Sequence, residues 1–567
     1  MIQHQRNRYV IGVDYGTESG RALLVNAADG EEIAAHVTPY AHGVISRKLP
    51  GTGISLPADW ALQHPDDYLE VLRTSIPAVM RKAGVKPEEV IGLGVDFTAC
   101  TMLPVTAEGV PLCKLEKFRD QPHSWVKLWK HHAAAPQAER VNAVARERGE
   151  VFLARYGGTI SSEWLLPKVL ETAEEAPAVF EEAAYFVEAA DWIVWQLSGG
   201  LSRSSCCAGY KGIWHKTEGY PPDEFLKQLD PRLEGLYSTK LAGRVDAAGH
   251  RAGGLTPQLA ADLGLAPGTA VATAIIDAHA AVLGCGVTKP GSMVLAMGTS
   301  LCHMALSDRE ELIPGVNGVV EDGIIPGLFG YEAGQPAVGD MFAWFVERIA
   351  VGEAGRQAEA EGISVHGWLE REAAKLLPGQ SGLLALDWWN GGRSPILDER
   401  LSGLLVGLRL DTTQAEIYRA LLEAAAFGTR RIIECFEEAG IAIDALYACG
   451  GLPPKNKLLM RIFSDVTGKP IKLAASSQPV ALGAAICGAA AAGAEAGGYD
   501  SLPEAVTAMG RLREEELVPE ERSRQAFDSL YTQYRLLHEA FGLGGGPLGG
   551  VMRTLKALSQ AESGSLP

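Results

Sequence analysis

Short apolar runs closed by polar turns alternate along this chain with longer stretches of helical periodicity. Residues 10–25 (VIGVDYGTESGRALLV) read as two strands joined by a turn that carries Gly16, Thr17, Ser19 and Gly20. A helix is predicted over 66–83, where Leu69, Leu72, Ile76 and Val79 share one face and Pro77 introduces a kink. Residues 90–105 alternate between strand character and a polar break at Asp96, Phe97, Thr98 and Ala99. Residues 162–183 read as two helices broken near Pro177, and 188–200 as an apolar helix stopped by Gly199 and Gly200. A β-rich run over 270–276 ends at Asp277 and passes into a helix of small residues.

The second half repeats the opening pattern. Residues 291–306 (GSMVLAMGTSLCHMAL) are again strand, polar turn and strand, the turn being Gly298, Thr299 and Ser300. The best helical signal follows at 410–440, with Thr413 and Glu416 as a capping box and Gly440 as the stop. A buried strand after residue 445 ends in Gly450 and Gly451 and leads toward a helix, and 482–494 reads as a tightly packed internal helix. One Gly-Thr hairpin is equally well an ordinary turn. Two of them, far apart, suggest a duplicated unit with two phosphate loops facing each other. By analogy this pattern resembles an α/β, two-domain actin/hexokinase-like (ribonuclease H-like) ATPase fold with an interdomain cleft, which is the expected class. The domains are expected at 1–255 and 256–567.

Charge narrows the functions. The 567 residues carry a formal net charge of −18, which disfavours nucleic acid and anionic membranes as partners. ATP, itself polyanionic, must then be held by local amides and metal. The nine cysteines lie scattered with no C-x-x-C spacing, as expected of reduced thiols in the cytoplasm. The opening residues show no signal-peptide core, and the apolar run at 479–494 is too short for a confident membrane span. Residues 125–148 read as a basic helix whose histidines, His131 and His132 included, lie on a solvated face.

Several residues invite chemistry. Gly16 permits close approach of backbone to an anion, Thr17 and Ser19 add hydroxyl donors, and Arg21 adds a fixed positive charge. Asp14 sits where a hydrated Mg2+ bridging two phosphates needs a carboxylate. Asp96 lies in a strand-end break, as either a ligand group or an Asx turn. Lys211, between glycines, reaches into a cleft or is a plain loop lysine. Glu332, Gln335 and Asp340 are placed on a turn that opens a helix. Gly450 and Gly451 expose backbone for a base and ribose, or form a turn without a ligand. No G-x-G-x-x-G with a following ribose-binding acid is present, which excludes a Rossmann dehydrogenase.

These motifs together resemble the FGGY family of carbohydrate kinases, over nearly the whole chain. Asp14, Gly16, Thr17, Ser19 and Arg21 match its first phosphate loop, and Gly298, Thr299 and Ser300 its second. Residues 403–423 match its second-domain signature, and Gly450, Gly451 and Asn456 its adenosine segment. The resemblance implies ATP and Mg2+ as cofactors, the ion held by Asp14 through water. It implies Asp277 as general base, with Ala99, Lys211 and Glu332 lining the sugar site beside it. VDFTACTMLPV, GYKGIWH, IDAHAA and GYEAGQPAVGDMFAWF are most similar to the branch that phosphorylates L-ribulose in arabinose catabolism. Many relatives have Asp-Gln where this chain has Asp277-Ala278, so sugar contacts of other branches do not transfer. The implied partners are ATP and a small ketopentose, and a homodimer is compatible with them. The alternatives are a kinase of the same family for xylulose, D-ribulose or ribitol, and a non-catalytic actin-like assembly protein that binds nucleotide.

Overall fold

The computed structural model describes residues 8–560. Two seven-stranded sheets carry the architecture. The first opens with an antiparallel meander, β1 (Tyr9–Tyr15), β2 (Ser19–Asn26) and β3 (Glu32–Pro39). On the other side of β1 lies β4 (Val90–Phe97), parallel to it. β5 (Arg251–Gly254), β6 (Ala270–Ala272) and the short β7 (Ile275–Ile276) complete the sheet, β6 and β7 both running parallel to β4. β1 and β4 are buried along nearly their whole length, as parallel strands covered on both faces must be.

The second sheet contains β8 (Gly291–Met297), β9 (Leu301–Ser307), β10 (Gly318–Glu321), β11 (Phe329–Gln335), β12 (Ile443–Gly450), β13 (Ile471–Ala474) and β14 (Leu512–Leu517). Its order is β10-β11-β9-β8-β12-β13-β14. Around β8 this repeats the first sheet. An antiparallel meander (β8, β9, β11) is followed by two parallel neighbours (β12, β13) and an antiparallel edge strand (β14), as β1, β2 and β3 are followed by β4, β6 and β5. The two Gly-Thr turns thus mark a duplicated sheet topology, the α/β actin/hexokinase-like arrangement.

Helices fill the layers outside the sheets. α1 (Pro65–Ala83) runs as one helix through Pro77 and buries Leu72, Ile76 and Val79. Next come α2 (Leu165–Glu175), α3 (Ser205–Gly212), α4 (Asp277–Gly284) and α5 (Gly339–Trp344). α6 (Gln414–Glu438) starts at the Thr413–Glu416 capping box, and Gly440 beyond it takes a left-handed φ of 81°. α7 (Lys457–Thr467) follows β12. α8 (Pro479–Ala492) belongs by sequence to the second half but packs on the first sheet. A Cβ on Gly94 would lie 1.7 Å from Ala484 O, one on Gly12 1.9 Å from Ala481 O, and one on Gly483 1.9 Å from Ala280 O. A helix with small apolar residues on every side has no face to give to water, and this wedge between β1, β4 and α4 buries most of it, Val480, Ala490 and Ala492 being only half-buried. The division at 255/256 falls between β5 and β6, which are hydrogen-bonded to each other. Among the described residues no helix is long and apolar enough to cross a membrane.

Candidate active site

Parallel register sets Asp14 of β1 beside Asp96 of β4. Ile275 and Ile276 of β7 pair with Asp96 and Phe97, so Asp277 emerges at the same sheet end. Three carboxylates are thereby aligned at the carboxyl ends of parallel strands, where open α/β sheets bind ligands. Asp277 opens α4, and its carboxylate accepts a hydrogen bond from the Ala278 N–H at 2.7 Å. Burial, reinforced by Asp14 and Glu332 and opposed by the Ala278 N–H and Lys211, pushes its pKa up to about 7. Asp96 is fully buried, and among the described residues neither of its carboxyl oxygens has a hydrogen-bond partner. Burial and the neighbouring Asp14 and Asp277 hold its pKa far above the carboxylate range. Asp14 is raised by burial too, with Arg21 opposing.

The first Gly-Thr turn is pinned from three sides. The Gly16 N–H donates to Ser19 O at 3.0 Å, Tyr40 Oη donates to Gly16 O at 2.9 Å, and Gln63 Nε2 donates to Thr17 O at 2.7 Å. Trp129 Nε1 donates to Thr17 Oγ1 at 3.0 Å. Arg21 stands opposite Asp14 across the hairpin, its Nε 3.2 Å from Asp14 Oδ2, so its charge is partnered within the turn. In the second turn the Gly298 N–H donates to Ser300 O at 2.9 Å, the counterpart of the bond at Gly16. Gly298 O and Thr299 O accept from the N–H groups of Gly339 and Asp340. A Cβ on Gly339 would come within 2.4 Å of Gly298 O, which explains the glycine there.

Beside the carboxylates is a polar pocket. Lys211 lies on α3, not in a loop, and its Nζ is 3.1 Å from both carboxylate oxygens of Glu332. Glu332 lies on β11 opposite Met304 of β9, not on a turn, because the alternating run through residue 335 is strand. Gln335 is directed into the second core, where it bonds Asp387, Ala425 O and Thr429, away from this pocket. Burial would raise Glu332, but Lys211 and His279 hold its carboxylate well below the usual range. His279 Nε2 is 3.3 Å from Glu332, and burial lowers the ring's pKa while Glu332 opposes the shift. The face of Trp164 covers Lys211, with Nζ 5.5 Å from the ring centroid.

Ala99 precedes Cys100, a non-glycine residue with a φ of 57°. This turn is held from below: Lys168 Nζ donates to Cys100 O at 2.7 Å and to Leu128 O at 2.8 Å. Burial lowers the Lys168 pKa to about 8. Next to it Lys127 donates to Glu171 at 2.6 Å, and His131 Nε2 lies 3.1 Å from the same carboxylate. The solvated histidine face expected over 125–148 is therefore not formed at His131, which is fully buried, and the helix there spans only Ala135–Arg148. Apolar packing around Trp60 and the Glu171 partner outcompete solvation at this position.

In the second half, Gly450 ends β12 opposite Met297 with a φ of 96°, and a Cβ on it would meet Met297 O at 2.5 Å. Close backbone approach to the second phosphate strand demands glycine here. Asn456 caps α7: its Oδ1 accepts from the Leu459 N–H at 2.8 Å and its Nδ2 faces Tyr418 Oη. Two residues escape the reading of the sequence. Lys168 lies in an unremarkable helix, and Arg393 follows two glycines in a loop. No local pattern marks either, since their importance comes from what the fold places against them.

Duplicated Gly-Thr turns, three carboxylates at one sheet end and the Lys211–Glu332 pair near Asp277 are the kinds of group that phosphoryl transfer uses. Family comparison agrees: residues 9–284 match the N-terminal domain and residues 293–492 the C-terminal domain of the FGGY family of carbohydrate kinases. The chain belongs to the FGGY family of carbohydrate kinases. It is 57% identical to a protein named ribulokinase from Halalkalibacterium halodurans, over 98% of each chain. It is likewise 57% identical to a ribulokinase from Geobacillus thermodenitrificans, over 95% of each. Its fold matches that of a xylulose kinase from Rhodospirillum rubrum with a TM-score of 0.76 at 24% identity, covering 94% of this chain and 99% of that one.

Proposed function

We propose that this protein is an ATP-dependent ribulokinase that phosphorylates L-ribulose to L-ribulose 5-phosphate, as the name shared by its relatives over their full length suggests. The observation that carries the chemistry is Asp277, a carboxylate with a pKa of about 7 between the Asp14 turn and the Lys211–Glu332 pair. Phosphoryl transfer asks mainly for positioning and charge neutralisation. Lys211 and Glu332 hold the ketopentose by charge-assisted hydrogen bonds, and Ala99 lines the site beside them. Asp277 accepts the proton of the primary hydroxyl as its oxygen bonds to the γ-phosphorus and the bond to the β-phosphate bridge breaks, releasing ADP. Gly16, Thr17, Ser19 and Arg21 of one turn and Gly298, Thr299 and Ser300 of the other embrace the phosphates. Gly450, Gly451 and Asn456 border the adenosine.

The donors suit a hydrated Mg2+. Asp14 offers hard oxygens, but it is already paired with Arg21, and among the described residues no set of three His, Cys, Asp or Glu closes on one point. The ion would be held by Asp14 through water, where it would help neutralise phosphate charge. We further propose that the sugar-side domain extends to about Gly284, since β5, β6 and β7 share the first sheet. The nine thiols, none bridged in the structure, fit a cytoplasmic setting. Initial rates of ADP formation with L-ribulose, D-ribulose, L-xylulose and D-xylulose test the substrate. A clear preference for L-ribulose by kcat/KM is expected; preference for a xylulose would transfer the assignment to another branch.

A further inference from the structure

Arg393 lies in the loop that follows the strand Leu384–Leu386, within WWNGGRSP. Two reciprocal bonds fasten this loop to β11. The Ser394 N–H donates to Gly334 O at 3.0 Å, and the Gly334 N–H donates to Ser394 Oγ at 3.2 Å. Gly334 is two residues beyond Glu332 on the same strand, so both positions address the same face of the sheet. The space that a side chain would fill at 334 is occupied by the arginine. A Cβ built there would lie 3.2 Å from Arg393 Cδ and 3.7 Å from Nη1. Arg393 therefore lies across the face of β11 that presents Glu332.

Its electrostatic surroundings are those of the polar pocket. Burial would lower its pKa, but Glu163, Cys302, Glu332 and Cys100 keep the guanidinium firmly charged. Glu163 and Cys100 flank Trp164 and Ala99, while Glu332 pairs with Lys211. Yet among the described residues the guanidinium makes no hydrogen bond and no ion pair. Arginine carries five N–H donors and no acceptor. Arg393 is partly exposed, so its unpartnered fork stays hydrated and is free to exchange water for the lone pairs of a ligand. Lys211 contacts both Glu332 oxygens, so it has fewer donors left to offer a sugar than a free guanidinium has.

We propose that Arg393 is a further sugar-binding residue, its planar fork donating to two oxygens on neighbouring carbons of the ketopentose. A guanidinium suits paired acceptors in one plane in a way an ammonium does not. Gly334 is the cut-out that lets it lie there. The assignment rests on the sugar site proposed above.

Steady-state kinetics of the full chain with L-ribulose and ATP test it, on Arg393→Gln, Arg393→Lys, Gly334→Ala and Lys211→Ala. Arg393→Gln is expected to raise the sugar KM about tenfold or more with the ATP KM within about twofold. Arg393→Lys should fall between it and the parent. Gly334→Ala keeps the arginine but displaces its stem, and should raise the sugar KM as well. The shift in Tm produced by L-ribulose should shrink in each. A sugar KM within twofold of the parent in Arg393→Gln, equal rises in both KM values, or a loss confined to kcat would overturn the assignment. If Lys211→Ala raises the sugar KM and the Arg393 variants do not, only this inference fails; if none of them does, the sugar site itself is misplaced. Should Arg393→Gln not fold, Arg393→Lys and Gly334→Ala decide by the same criteria.

Discussion

The ammonium of Lys211 lies 3.1 Å from each carboxylate oxygen of Glu332, and this bond ties a helix of the first half to a strand of the second sheet. It is both a fastening between the halves and a wall of the polar pocket. Lys211→Met would leave Glu332 buried without its main partner, a loss of about 3–5 kcal/mol for a broken buried pair. A lower Tm is expected, together with a sugar KM that rises more than the ATP KM. Equal changes in the two constants would contradict its place in the sugar pocket.

The same pair has a pH signature. Lys211 and His279 hold the Glu332 pKa below its ordinary value of 4.5. A carboxylate depressed on folding contributes stability that is complete above the unfolded pKa and is lost as pH falls through the folded one. The midpoint of urea unfolding should thus decline on acidification below about pH 4.5, and more shallowly in Glu332→Gln. Parallel slopes for the two proteins would argue against the depressed value.

Asp277→Asn should leave ADP binding nearly intact and lower sugar-dependent kcat by about 10²-fold or more, the scale of a lost general base. Retention of a tenth of the parent kcat would eliminate it as the base.

If Asp277 is the proton acceptor, kcat/KM for the sugar must rise with pH through the carboxylate's own titration. Its raised pKa predicts an acidic limb with an apparent pKa of about 7. Residual activity of Asp277→Asn should lack that limb.

Gly94→Ala tests the seat of α8. With Ala484 O only 1.7 Å from the new Cβ, helix and strand must separate. A loss of about 1–3 kcal/mol or more is expected from this overpacking. Gly200→Ala, with nothing within 4 Å of its Cβ, serves as the control and should leave Tm within a degree or two.

Lys168→Met removes the donor to Cys100 O beneath Ala99. The orphaned carbonyl should cost about 1–3 kcal/mol, and release of the left-handed turn should raise the sugar KM. An unchanged sugar KM with lowered Tm would make Lys168 a purely structural residue.

Strand, turn and capping signals are local, and they are legible. The hairpins at Gly16 and Gly298, the capping box at Thr413 and the strand ending at Asp277 depend on neighbours within a few residues, so periodicity and side-chain chemistry suffice. His131 misleads for the complementary reason: helical spacing and charge suggest solvent, whereas its partner Glu171 arrives from forty residues away. Lys211 and Glu332 are each marked by the family motif, but neither carries a local sign of the other.

The sequence by itself determined that two Gly-Thr hairpins recur in one acidic chain, and with them the duplicated α/β class and the family of its chemistry. These follow from short-range rules of turns, caps and alternation that no distant contact needs to complete. Only the tertiary structure decided that α8 crosses back beneath the first sheet, that β5 to β7 belong to the first half, and that Arg393 lies over Gly334. Backbone contact through glycines, the Lys211–Glu332 pair and the alignment of Asp14, Asp96 and Asp277 are set by atoms from about eighty to several hundred residues apart, and packing alone brings those atoms together.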